Sequence, residues 1–358
     1  MATRKKSALT GNQNGNVSKT KKISLALQGG GAHGAFAWGV IDKLLEDGRL
    51  EIEAVSGTSA GSMNAVALAA GAIEGPEAAR QKLHDLWKAV SDCGKKFNPL
   101  GQIPWHAGDP VGDMLSSMAT MWFRSVTHMF SPYQLNPQNV NPLKDILVSQ
   151  VDFSRLQDES KIKLFLAATN VRSGKVKVFG IEEKITADMV MASACLPQLF
   201  RAVEIDGENY WDGGFMGNPV LYPLFYYTKS QDVLIVHINP IERPGPPTSA
   251  DDIMNRVNEI SFNSSLIKEL RAVHFVQKMI DEGWIKEEFL HKLKYVLMHS
   301  LRADMALSDL SVNSKFSSDW GFLQMLRDRG RICAAEWLSA NFDAVGVRST
   351  VNMTAEFL

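Results

Sequence analysis

The sequence has few cysteines and no long apolar run, and these absences exclude several classes of protein. Cys93, Cys195 and Cys333 are far apart and show neither a C-x-x-C motif nor metal-ligand spacing. No uncharged apolar stretch reaches the roughly 18 residues needed to cross a bilayer, and the start has no apolar segment of the signal-peptide kind. We therefore expect a cytoplasmic protein in a reducing compartment.

The chain also lacks an excess of charge, because its formal net charge is −1 at pH 7. Nothing in this balance suggests a nucleic-acid partner. Residues 1–22 are a local exception, since they contain five lysines, one arginine and no acid. This composition predicts a disordered basic arm, which is either a solvated tail or a segment weakly attracted to anionic lipid headgroups.

What is present is an alternation of strand and helix patterns. Residues 23–27 predict a first strand, and a glycine loop leads from it into a helix of about residues 35–46. A second strand over residues 51–56 is followed by a small, apolar helix over residues 60–72. The order predicts an α/β fold. Further along, a helix over about residues 251–280 carries an apolar stripe that we expect to lie across the sheet.

The second strand ends in a G-x-S-x-G pentapeptide, Gly57 to Gly61, with Ser59 at its centre. A serine on a sharp strand-to-helix turn has its hydroxyl pushed out of the fold, which is the form of a nucleophile elbow. Ser59 is therefore the candidate nucleophile. In isolation, the same residues are equally consistent with a helix start in which Thr58 or Ser59 is the N-cap.

The glycine loop has two interpretations. Gly29, Gly31 and Gly34 satisfy G-x-G-x-x-G, which is typical of dinucleotide-binding Rossmann folds. That fold needs an acid at the end of the second strand, but Glu51 and Glu53 stand at its beginning. We favour the other interpretation, in which exposed backbone N–H groups of the loop and the following helix N-terminus stabilise an oxyanion.

A third motif, Asp212-Gly213-Gly214, follows a predicted hairpin of residues 203–205 and 208–211. In this order, the glycine loop, the serine elbow and the aspartate motif closely resemble the patatin-like phospholipases, and the segment Ala192–Pro197 resembles the one that precedes the aspartate in bacterial members. The resemblance covers roughly residues 22–240.

The resemblance implies a three-layer α/β/α patatin-like fold with a mostly parallel central sheet and a C-terminal helical extension. It also implies a Ser59–Asp212 dyad in which Asp212 takes the serine proton directly and an acyl-enzyme forms, with no metal or cofactor. The N–H groups of four residues would form the oxyanion hole: Gly29, Gly30, Gly31 and Ala60. Five further glycines support the motifs: Gly34, Gly57, Gly61, Gly213 and Gly214.

Two positions depart from the family pattern. His33 stands where many members have arginine, and Gln28 stands where many have aspartate. We retain His33 only as a candidate pocket residue. His237 could complete a Ser-Asp-His order, but it interrupts an apolar strand, where a core histidine is the more common finding.

The expected organisation is a basic arm (1–22), an acyl hydrolase domain (23–245) with a cap-like insertion (97–142), and a mainly helical extension (246–358) packed on the same domain. The insertion is rich in methionines and aromatics, including Met118, Met121 and Trp122. These side chains either line the mouth of the site, where they could shield acyl chains or touch a membrane, or pack in the core.

The leading hypothesis for function is a serine acyl hydrolase that cleaves esters of phospholipids or related lipids. The same dyad could instead serve a thioesterase or an acyltransferase. A Rossmann oxidoreductase and a catalytically idle, lipid-binding scaffold are the alternatives from other classes.

Overall fold

The computed structural model describes residues 20–97, 129–243, 245–310 and 312–357. The strands in these ranges are β1 (Lys21–Leu27), β2 (Leu50–Gly57), β3 (Lys163–Asn170), β4 (Val176–Phe179), β5 (Val203–Ile205), β6 (Glu208–Asp212), β7 (Asp232–His237) and β8 (Leu297–Arg302). The helices are α1 (Gly34–Asp47), α2 (Ala60–Ala72), α3 (Pro76–Phe97), α4 (Pro132–Leu135), α5 (Pro142–Gln150), α6 (Phe153–Glu159), α7 (Ala187–Ser193), α8 (Tyr222–Tyr226), α9 (Ala250–Asp281), α10 (Glu287–Leu290), α11 (Trp320–Asn341) and α12 (Met353–Phe357).

The strands form one sheet in the order β5-β6-β3-β2-β1-β7-β8, with β4 also paired to β3. The pairs that join β3, β2, β1, β7 and β8 are all parallel, and the pairs of β4, β5 and β6 are antiparallel. The prediction of a mostly parallel α/β fold is confirmed. Because β1, β2 and β7 are adjacent and parallel, the loops that follow them emerge at the same edge.

Helices cover both faces of this sheet, so successive strand residues enter different cores. In β7, Leu234 and Val236 belong to a core with α1, α2, α3 and α11. Val233 and Ile235 belong to a second core with α8, α9 and α12. The side-chain period of two in a strand makes this division, and it explains why the central strands are apolar without alternation.

The C-terminal part of the chain contributes to both layers. Strand β8 extends the parallel sheet, and α11 crosses α1 so closely that glycines face the partner backbone. A Cβ at Gly39 would lie 1.9 Å from the carbonyl oxygen of Arg327, and one at Gly330 would lie 2.1 Å from that of Phe36. These two mid-helix glycines are therefore required by helix packing.

Two predictions need correction. The apolar stripe of α9 does not lie on the core throughout, because Ile253, Val257 and Ile260 are each about half exposed while Leu270 is fully buried. The period of the stripe is helical, but among the described residues the two hydrophobic cores include no residue of α9 before Leu266. The basic arm does not extend to residue 22, since β1 begins at Lys21. Residues 1–19 lie outside the described residues.

We predict that Gly330→Ala destabilises the fold by about 1–3 kcal/mol, because the added methyl must displace the α1 backbone. The control is Gly321→Ala in the first turn of the same helix, where the nearest atom to the new Cβ is 3.3 Å away. That change should be neutral or slightly stabilising, since alanine favours the helix. Chemical denaturation of both variants measures the difference, and equal stabilities would contradict the close-packing explanation.

Candidate active site

Ser59 stands at the turn between β2 and α2 in a backbone conformation that serine rarely adopts. Its φ is 55° and its ψ is −124°. A non-glycine residue with positive φ stores strain, and such residues concentrate at functional sites. The turn is compact, because a Cβ at Gly61 would lie 2.4 Å from the carbonyl oxygen of Leu27. The side chain is only partly buried, as an attacking hydroxyl requires.

Asp212 lies at the end of β6 and is almost completely buried. Burial raises the pKa of its carboxyl to about 6, against the lowering effects of the Gly214 N–H and of the Ser59 side chain. Gly214 donates to Oδ1 at 2.7 Å, whereas Oδ2 has no partner with regular hydrogen-bond geometry among the described residues. The carboxyl thus has one oxygen held by the backbone, and the Ser59 hydroxyl is close enough to affect its proton affinity.

One short segment positions both side chains. The backbone N–H of Ser59 donates to the carbonyl oxygen and the hydroxyl of Ser193, at 3.2 and 3.1 Å. The N–H of Asp212 donates to the carbonyl oxygen of Cys195 at 2.8 Å. Residues 193–195 therefore bridge the elbow and the aspartate strand. In the sequence, this segment stood out only as part of the family resemblance, and no structural role was predicted for it.

The glycine loop packs directly on the elbow, since a Cβ at Gly29 would lie 2.6 Å from Cβ of Ser59. The N–H of Gly29 is already used, because it donates to Oδ1 of Asn218 at 2.6 Å. Among the described residues, none accepts a hydrogen bond from the N–H of Gly30, Gly31 or Ala60. These three donors are the ones that remain for an oxyanion, and Gly30 and Gly31 are solvent-accessible.

The buried amide of Gln28 connects the loops at this edge of the sheet. Its Oε1 accepts from the backbone N–H groups of Ile238 and Asn239, at 2.8 and 2.9 Å. Its Nε2 donates to the carbonyl oxygen of Asn218 and to Oδ1 of Asn263. An amide can serve this task because it both donates and accepts, which an ionised aspartate cannot do. The three asparagines were not predicted, since nothing nearby in the sequence marks them.

The two histidines discussed above have no hydrogen bond to Ser59 or Asp212. Nε2 of His33 lies 2.7 Å from the hydroxyl of Ser314, and burial together with the charges of Lys315 and Arg243 lowers the pKa of His33 to about 3. His237 is buried, and neither ring nitrogen has a partner among the described residues. Burial and the charge of Arg302 lower its pKa to about 3 as well. Both rings are therefore neutral near pH 7.

The remaining predicted pocket residues, Met118, Met121 and Trp122, lie outside the described residues. In the part of the chain that is described, no three His, Cys, Asp or Glu side chains are grouped as metal ligands would be. No helix of that part is both long and apolar enough to cross a membrane.

A model of the family described as patatin-like phospholipase matches residues 25–224. The chain belongs to this family. The matched residues include the elbow, the glycine loop and the aspartate motif. The family predicted from the three motifs is therefore confirmed.

Some solved structures are similar to this chain at low identity, and no curated protein matches the chain. VipD from Legionella pneumophila is 16% identical, with 90% of this chain and 67% of VipD covered and a TM-score of 0.43. ExoU from Pseudomonas aeruginosa, in complex with SpcU, is also 16% identical, with 90% of this chain and 53% of ExoU covered and a TM-score of 0.35. This chain thus spans about half the length of ExoU. The assignment of this chain to the patatin-like phospholipase family rests on the family match and not on these structures.

The burial of Asp212 predicts a cost in stability. The folded-state pKa of about 6 exceeds the ordinary value of 3.8, so the folded state binds more protons between these values and loses stability as pH rises through them. At pH 8, the free energy of unfolding of Asp212→Asn should therefore be up to about 3 kcal/mol higher than that of wild type. At pH 3, where the carboxyl is protonated in both states, this advantage should be lost.

Urea denaturation of both proteins at the two pH values measures this difference. Other titrating groups contribute equally to wild type and variant, so they cancel in the comparison. An advantage of Asp212→Asn that is the same at both pH values would contradict a desolvated, ionised Asp212.

Proposed function

We propose that the protein is a serine esterase that cleaves carboxylic esters of phospholipids or related lipids through Ser59 and Asp212. The observation that carries this proposal is the buried Asp212 carboxyl, whose pKa of about 6 suits a general base at neutral pH and which interacts with the strained Ser59. Among the described residues, no histidine is hydrogen-bonded to Ser59 or Asp212, and the mechanism we propose uses the dyad alone.

In the first half-reaction, Asp212 accepts the proton of the Ser59 hydroxyl as Oγ attacks the ester carbonyl carbon. The carbonyl π bond becomes an oxyanion, and we assign its stabilisation to the free N–H groups of Gly30, Gly31 and Ala60. The C–O bond to the leaving alcohol then breaks, and protonated Asp212 returns the proton to that oxygen. The product is an acyl ester on Ser59.

In the second half-reaction, water takes the place of the alcohol. Asp212 accepts a proton from the water as its oxygen attacks the acyl carbon, and the same N–H groups stabilise the second oxyanion. The bond between the acyl carbon and Oγ of Ser59 breaks, and the proton on Asp212 returns to Oγ. A free carboxylic acid leaves, and the enzyme is regenerated.

An exposed apolar surface near the dyad supports an aggregated lipid as the substrate and a peripheral membrane contact. Phe215, three residues after Asp212, is partly exposed and its ring lies 5.5 Å from that of Phe262 on α9. On α9, Val257 and Ile260 are also each about half exposed. Apolar side chains beside an ester-cleaving site would contact acyl chains.

Two alternatives can be weighed on particular residues. Dinucleotide binding is disfavoured, because Glu53 lies in the amino-terminal half of β2 and not at its carboxyl end, and its carboxylate accepts from the backbone N–H groups of Lys229 and Ser230. Thioester hydrolysis or acyl transfer would use the same dyad and the same oxyanion donors. A panel of lipid esters and acyl thioesters, with and without an alcohol acceptor, separates these activities.

We predict that Ser59→Ala and Asp212→Asn each reduce ester hydrolysis by at least about 1,000-fold, and that the double variant is no worse than either single one, because the two side chains act as a unit. A serine-directed fluorophosphonate should label wild type and not Ser59→Ala. The matched control is Ser62→Ala, three residues away on α2, which should retain labelling. Near-normal turnover by Asp212→Asn would refute the dyad.

We also predict that kcat for a soluble ester falls as pH drops through about 6, because protonated Asp212 cannot accept the serine proton. The slope on the acid side should correspond to a single proton. A profile that stays flat to about pH 4, the ordinary range of an aspartate, would mean that Asp212 is not the base.

A further inference from the structure

We propose that Lys315 is a positioning residue for the oxyanion hole, acting through Asn239 on the peptide group that presents the N–H of Gly30. This inference rests on the proposed function, since it concerns the same oxyanion. It assigns a role in the reaction to a residue of the C-terminal extension, which carries no motif.

A continuous chain of hydrogen bonds runs from Lys315 to the glycine loop. Nζ of Lys315 donates to Oδ1 of Asn239 at 2.7 Å. Nδ2 of the same amide donates to the carbonyl oxygen of Gly29 at 2.8 Å. The carbonyl of Gly29 and the N–H of Gly30 belong to one peptide group, and that N–H has no acceptor among the described residues. This series of hydrogen bonds therefore ends at the N–H of Gly30, which has no acceptor among the described residues.

Each link polarises the next. A cation at Oδ1 draws electron density from the amide of Asn239 and makes its Nδ2–H a stronger donor. That donor acts on the Gly29 carbonyl, and resonance across the peptide bond transfers the effect to the Gly30 nitrogen. This polarisation strengthens a hydrogen bond from the N–H of Gly30 to a negatively charged oxygen more than it strengthens one to a neutral carbonyl. The effect therefore favours the transition state over the bound ester.

The positive charge of Lys315 is not cancelled locally. Glu259 on α9 is the acid that faces it, but this carboxylate is already paired with Arg243 at 2.7 Å and with Arg256 at 3.2 Å. Among the described residues, Lys315 has no salt bridge, and its ammonium is held by the neutral amide of Asn239. Three cations, Arg243, Arg256 and Lys315, thus surround one buried acid, Glu259.

The loop and Lys315 are also in direct backbone contact. A Cβ at Gly31 would lie 2.5 Å from the carbonyl oxygen of Lys315, so the turn that carries Lys315 packs against the turn that carries Gly31. Desolvation, together with the charge of Arg243, lowers the pKa of Lys315 to about 8. The other groups facing it do not titrate nearby: His33 has a pKa of about 3, the pKa of Glu259 is lowered, and that of Arg243 is raised.

The experiment compares kcat and KM of wild type, Lys315→Met and Lys315→Arg for a soluble short-chain ester between pH 5 and 10. At pH 7, we expect Lys315→Met to lose about tenfold in kcat, less than the loss of a direct oxyanion donor, with KM little changed. Wild-type kcat should fall as pH rises through about 8, where Lys315 loses its proton. Lys315→Met should lack this alkaline decline, and Lys315→Arg should move it to higher pH, because arginine keeps its charge.

Lys294→Met is the matched control. Lys294 is also a partly buried lysine with a lowered pKa, and it donates to Thr228 and to the carbonyl oxygen of Leu224, in the segment before β7 and away from the glycine loop. Both substitutions should lower thermal stability similarly, whereas only Lys315→Met should lose kcat. Asn239→Asp keeps an acceptor for Lys315 and removes the donor to Gly29, so it should reproduce the loss of kcat.

The outcomes separate this inference from the proposed function. If Ser59→Ala abolishes turnover and Lys315→Met retains wild-type kcat and the alkaline decline, the role of Lys315 is refuted and the dyad stands. A loss of kcat in Lys315→Met that Lys294→Met matches would also refute it, as a general effect of stability. If Ser59→Ala retains activity, the proposed function itself fails.

Discussion

The burial of one carboxyl group is the constraint on which the site depends. A desolvated Asp212 holds its proton more tightly than an exposed aspartate, so it can act as a base for serine without an intervening histidine. This requires the end of β6 to lie beside the elbow. Residues 193–195 hold it there, because they accept hydrogen bonds from the backbone N–H groups of both Ser59 and Asp212. The fold loses stability at neutral pH to keep this carboxylate buried.

A second feature is the network of neutral amides at the carboxyl edge of the sheet. Gln28, Asn218 and Asn239 form hydrogen bonds with one another and with the loop backbone, and they do so without adding a charge near Asp212. The same network decides which N–H groups remain available, because Asn218 occupies that of Gly29. In the proposed mechanism, the oxyanion donors are therefore N–H groups that the asparagines leave unbound.

The C-terminal extension is part of the same structure and not an appendage. It contributes β8 to the parallel sheet, and α11 packs on α1 through Gly39 and Gly330. Lys315 stands on the turn that contacts the glycine loop. The side-chain pattern of this region predicted a mainly helical extension, but it could not indicate that Lys315 would contact the glycine loop.

The sequence by itself determined the elements and the motifs whose signals are local. The run 60–72 of small apolar residues was predicted with the bounds that α2 has, and the hairpin strand 203–205 was predicted with the bounds of β5, because turn chemistry and periodicity act over a few residues. Only the tertiary structure decided the environment of Asp212, the side of α9 that is buried and the partners of Gln28. Desolvation and long-range hydrogen bonds depend on residues far apart in the chain, which no local pattern encodes.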